Sequence, residues 1–177
     1  MKGYYVTVRV GEKLKKYIEA SYNGAIIKPP KDSNLMGIIK QHLELFSSTE
    51  DIELPESECV KIELPLQNGA VYSQSSGKVY VCNTLWRNRL SETGHKRVRK
   101  FFENNFKYSF HIFMDGHITG QYSQKNEEDR IKIKEAVVEF LMQYHITLDD
   151  RLIASLTRDW WRHNDRNEHY KESPLVY

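Results

Sequence analysis

Asn126 to Asn167 reads NEEDRIKIKEAVVEFLMQYHITLDDRLIASLTRDWWRHNDRN, and in this stretch periodicity, capping and charge point the same way. Ile131, Val137, Val138, Phe140, Leu141 and Tyr144 recur near helical spacing, and Leu148, Leu152, Ile153, Leu156 and Trp160 do so again, which predicts two amphipathic helices. Only His145, Ile146 and Thr147 separate them. Thr147, with Asp150 three residues on, has the pattern of an N-cap and an acid that together satisfy the free amides opening a helix. The second helix carries Arg151, Arg158, Arg162 and Arg166. A short-turn pair of this kind suits a helix-turn-helix, and it equally suits the corner of a helical bundle.

Working outward, 177 residues suffice for one domain with a proper core or two small ones. A single compact unit is the expectation, made of an α+β half, 1–83, and a helical half, 84–177. A hydrophobic content of 40%, with only nine Gly and five Pro, excludes disordered and low-complexity classes. No apolar run approaches a bilayer's width, and MKGYYVTVRV lacks the apolar core of a secretory signal, so a cytoplasmic protein without a membrane partner is expected. Cys59 and Cys82 stand alone in apolar segments and read as buried thiols.

Charge is segregated along the chain. Met1 to Lys40 holds eight Lys or Arg against three acids, and Trp86 to Lys107 holds seven against two, a net of +5 each. Glu44 to Glu63 has one Lys against seven acids, a net of −6. Two basic faces for a polyanion are the expectation, with the acidic element lying elsewhere.

From the N-terminus, residues 3–10 alternate strictly. Tyr4, Val6, Val8 and Val10 point one way; Tyr5, Thr7 and Arg9 point the other, as in a half-buried strand. Glu12 to Tyr22 reads as a helix, and Ser33 caps a second whose apolar residues are Leu35, Met36, Ile38, Ile39, Leu43 and Phe46. A polar alternating strand followed by two such helices resembles the ribbon-helix-helix family of DNA-binding dimers over residues 3–46. The resemblance implies that the strand pairs with its counterpart in a homodimer and that Tyr5, Thr7 and Arg9 face the major groove. The connection between the helices, with Pro29 and Pro30, is longer than the family pattern. The strand joining a sheet within its own chain is the other reading.

Cys59 to Leu64 suits an edge or one-sided strand, and Ala70–Ser73 with Val79–Cys82 reads as a hairpin. After Gly94, taken as a breaker, HKRVRKFFENNFKYSFHIFM turns helical, with an aromatic row on one face and Lys96, Arg97, Arg99, Lys100 and Lys107 opposite; Gly116 and Gly120 end it, a hairpin around Met114 to Ile118 being the other reading. The fold class is α+β: a small antiparallel or mixed sheet with two helices, then a C-terminal helical half containing the helix-turn-helix-like pair.

No constellation for catalysis stands out. His111 and Asp115, four apart, share a helix face, but His117 lies about a third of a helix away, so a third metal ligand is missing; the acid pairs Glu127–Glu128 and Asp149–Asp150 sit at helix starts, where they complement the helix dipole. No phosphate loop, HExxH or nucleophile elbow occurs. The chain reads as a non-enzymatic DNA-binding protein needing no cofactor and no metal, with a possible regulatory role and a homodimeric state. Thr7, Arg9, Lys96, Arg97, Arg99, Lys100, Arg151, Arg158 and Arg162 are its candidate DNA contacts. The alternative is an assembly or adaptor protein of a phage or mobile element, docking on a protein partner through the acidic segment and through Trp161, Tyr170, Leu175 and Tyr177.

Overall fold

A computed structural model describes residues 4–45, 55–64, 70–73, 78–81, 88–118 and 122–172. The alternating N-terminal stretch forms β1, Tyr4–Arg9, with Val6 and Val8 buried and Tyr5 and Arg9 exposed. Gly11, at φ 88°, breaks the strand in the left-handed region where a side chain is penalised, and α1, Glu12–Ser21, follows. Leu14, Tyr17 and Ile18 are its buried face. β2, Ile26–Ile27, precedes α2, Asn34–Gln41, where the Ser33 hydroxyl accepts from the Met36 amide at 3.2 Å as the sequence predicts.

The second helix is shorter than expected. It stops at Gln41, and Leu43 opens β3, Leu43–Leu45, because the chain turns at His42 to pair with β7, Asn88–Leu90. One 3-10 turn, Glu56–Glu58, leads into β4, Cys59–Leu64, and β5, Ala70–Ser73, pairs antiparallel with β6, Lys78–Val81, as the expected hairpin.

The three-stranded sheet has the order β1-β4-β2 and is mixed. β1 runs antiparallel to β4, from Tyr4 opposite Leu64 to Arg9 opposite Cys59, and β2 runs parallel to it, with Ile27 opposite Ile62. β4 is therefore central and not an edge, although its burial stays one-sided: Val60, Ile62 and Leu64 are buried and Lys61 exposed. The first strand thus pairs within its own chain on one side. Cys59 is a buried free thiol, and burial raises its pKa; Cys82 lies outside the described residues.

The helices α3, Glu92–His117, α4, Glu127–Gln143, and α5, Asp150–Glu172, complete an α+β fold whose C-terminal half is helical. The chain divides into two compact units, Met1–Glu103 and Asn104–Tyr177. Gly94 is not a breaker. It sits in the first turn of α3, where an added Cβ would lie 2.6 Å from the His42 Cβ and 2.7 Å from Leu90 Cγ, so only glycine fits. Gly116 does fall at the end of this helix.

In the second unit Phe140 is fully buried among Phe106, Phe110, Phe113 and Tyr144, ring centroids 5.0 to 5.5 Å away in edge-on or tilted contacts. The aromatic row is a packing face. On α4 the buried residues are Ile133, Ala136, Val137, Phe140 and Leu141, whereas Ile131, expected on this face, is half exposed. Among the described residues no helix is long and apolar enough to cross a membrane.

Candidate nucleic-acid interface

α5 begins one residue after Asp149, whose carboxylate accepts from the Leu152 amide at 3.2 Å. Asp149 stands at the cap position, not Thr147: the left-handed turn at His145, φ 53°, and the irregular residues after it delay the helix beyond the position the sequence pattern suggests. Leu156, Trp160 and Trp161 then seat the helix; the two indoles are only 3% and 7% exposed. Trp161, expected to turn partly outward and serve an interface, is corrected: its indole is core and packs. Leu148, expected on the packing face, is instead exposed.

Arg151, Arg158 and Arg162 are seven and four residues apart, so they fall along one line of the helix, away from Leu156 and Trp160. All three are exposed. No ion pair engages them among the described residues, and the Nε of Arg158 donates only to its own helix, to the Ala154 carbonyl at 3.2 Å. Asp159 and Asp165 are near them in sequence, so ion pairs within the helix are the other expectation. Asp159 accepts from His111 at 3.2 Å and lies 3.9 Å from the Lys107 ammonium.

The other basic candidates stand differently. On α3 the Lys96 ammonium lies 2.6 Å from Glu92, one helical turn away, and it holds that carboxyl below the usual range through a hydrogen bond and its charge. Arg99 and Lys100 share Glu103, at 3.0 and 3.7 Å. Arg97 is exposed and in no ion pair among the described residues. In the first unit Arg9 is bound by Glu58 at 2.6 Å, and Thr7 is half-buried opposite Lys61. Lys28 meets Glu63 at 3.1 Å, and Lys61 meets Glu56 at 3.3 Å.

Two described acids of the acidic segment therefore meet the N-terminal basic one. Pairing β4 between β1 and β2 brings Glu58 and Glu63 onto Arg9 and Lys28, so these charges from two opposite blocks of the sequence pair across one sheet. The side chain of Tyr170, and Leu175 and Tyr177, lie outside what the structure describes.

A second cluster joins α3 and α5 within the second unit. The His111 and His163 rings stack at 4.0 Å and 14°, His111 meets Asp159, and His163 Nε2 lies 3.7 Å from Asp115. Burial chiefly, then the neighbouring His163, lowers the pKa of His111 against the opposing pull of Asp159. His117 goes elsewhere, donating through Nδ1 to the Phe113 carbonyl at 3.1 Å and lying 3.4 Å from Glu139. Sequence spacing placed His111 and Asp115 on one face; it carried no signal for His163, which a different helix supplies. Among the described residues no group of three or more His, Cys, Asp or Glu is placed to hold a metal. Comparison with family models, curated proteins and solved structures finds no match for this chain.

Proposed function

We propose that this chain is a non-enzymatic, cytoplasmic DNA-binding protein that grips the phosphate backbone of duplex DNA through the arginine line of α5. The observation that carries this reading is the line itself: three exposed guanidinium groups in register on one helix, none in an ion pair among the described residues. A free guanidinium presents a planar fork of donors that matches a phosphate's oxygens, and forming that contact requires no prior breaking of an internal pair. Arg97, in the first unit, is also exposed and in no ion pair among the described residues, but it is not counted in this line. Thr7, Arg9, Lys96, Arg99 and Lys100 are secondary in this account, since all but Thr7 must first give up a carboxylate.

The reading is tested by fluorescence anisotropy with a labelled duplex of about 20 base pairs and a scrambled duplex of the same length, at low salt. Micromolar or tighter binding, similar for both duplexes and abolished when Arg151, Arg158 and Arg162 are all changed to Gln, is the expected result. Absence of binding by the unaltered protein, or binding that survives the triple change, removes the proposal.

A further inference from the structure

α4 carries apolar residues on two opposite sides. One side, Ile133, Val137, Phe140 and Leu141 among them, is buried in its own unit. The other, Ile131, Val138 and Met142, is open: Ile131 is 50% and Met142 61% exposed. Together with Ile153 and Ala154 of α5 these residues line a groove of about 900 Å³. A helix apolar on both sides is ordinarily covered on both sides.

We propose that this groove is a homodimer interface, in which α4 packs antiparallel against α4 of a second copy across a two-fold axis. Ile131, Glu135, Val138 and Met142 follow one another at intervals of four, three and four, the spacing of a two-helix seam. A two-fold axis passing between Ala136 and Val137 sets Ile131 against Met142 of the second copy, and Met142 against its Ile131, as a self-complementary contact requires.

Charge selects the same arrangement. Lys132 and Glu139, both exposed, lie on the same flank of the seam, so the axis brings Lys132 of each copy beside Glu139 of the other. The ion pair forms twice. Among the described residues Lys132 is in no ion pair, and Glu139 is in one, with His117 at 3.4 Å. Glu135, inside the seam and facing Val138 of the second copy, opposes association. The result is a weak, reversible dimer whose register is set at a cost in affinity. A heterologous amphipathic helix would fill the groove without regard to the Lys132 and Glu139 pairing.

Sedimentation equilibrium of the full chain without DNA tests this and leaves the DNA-binding reading untouched. The expected result is a monomer–dimer equilibrium with a dissociation constant on the order of tens of micromolar. Lys132→Glu or Glu139→Lys alone weakens it by about fivefold or more, the double change Lys132→Glu with Glu139→Lys restores it to within about twofold, and Glu135→Leu tightens it. Far-UV circular dichroism, unchanged across the series, keeps these exposed substitutions separate from unfolding. A chain that stays monomeric up to about 500 µM, or a double change as weak as the single ones, overturns the proposal and leaves the groove to another protein's helix or to solvent.

Discussion

The first turns of α3 and the body of α5 are similarly basic, yet the fold treats them in opposite ways. On α3, Lys96, Arg99 and Lys100 each stand beside a glutamate three or four residues away on the same helix. On α5, Arg151, Arg158 and Arg162 are in no ion pair among the described residues; of the acids on that helix, Asp159 is turned toward His111 and Lys107. The lesson concerns counting charge. A cluster of cations in a sequence measures potential only after the acids within one turn of it, and across its sheet, have been assigned.

The largest effect that would sharpen this contrast is on DNA affinity. Reversing Arg158 and Arg162 to Glu should weaken binding by about a hundredfold, since each charge-assisted hydrogen bond contributes roughly 1.5 kcal/mol or more. The same reversal at Lys96 and Lys100 should change it only a few-fold. Equal losses from the two helices, measured by anisotropy titration, would break the comparison.

How the two helices are seated comes next. Gly94→Ala forces a Cβ into the His42 and Leu90 side chains at the start of α3, and should lower stability by about 2 kcal/mol in urea unfolding. Asp149→Ala removes the side chain that caps α5 and should cost about 1 kcal/mol, with a smaller loss from Thr147→Ala. If Thr147→Ala were the costlier change, the start assigned to α5 would be wrong.

Smaller still is the release of the α3 cations. Glu103→Gln frees Arg99 and Lys100 at once and should raise DNA affinity by about threefold at low salt. No rise would mean that the carboxylate does not restrain them.

A last contrast is between the His111 cluster and solvent. The pKa of folded His111 is lowered, so as pH falls through the ordinary imidazole value of about 6.5 the unfolded chain gains a proton that the folded state resists. This contribution to stability is present at higher pH. It is lost progressively from there down to the lowered value, and thermal unfolding between about pH 8 and pH 5 should show a fall that is shallower in His111→Gln.

The parts of the fold legible in the sequence are those governed by one local period. β1, its neighbour β4, the Ser33 cap and the three C-terminal helices all show in alternation, helical spacing or capping chemistry. What could not be read depends on partners distant in the chain. β4 became central because β2 joins its far side, and α2 ended early because β7 claims Leu43. On α4, Ile131 and Val138 merged with the core residues into one apparent stripe, since two opposite apolar faces look continuous when only hydrophobicity is counted.

The candidate site divided along the same line. The positions of the arginines on α5 follow from helical geometry, so their common line was visible in advance. Their freedom from ion pairs was not: Asp159, for one, is engaged by α3 residues 48 and 52 positions earlier. Trp161 failed for a related reason: adjacent tryptophans cannot share one face of a helix, yet both are buried here.

The most direct test of the account is the salt dependence of duplex binding. Three phosphate contacts from α5 predict that the logarithm of the association constant falls against the logarithm of salt concentration with a slope of about −3, and that Arg158→Gln with Arg162→Gln brings the slope to about −1. A slope near zero in the unaltered protein, or one that the double substitution leaves unchanged, contradicts it.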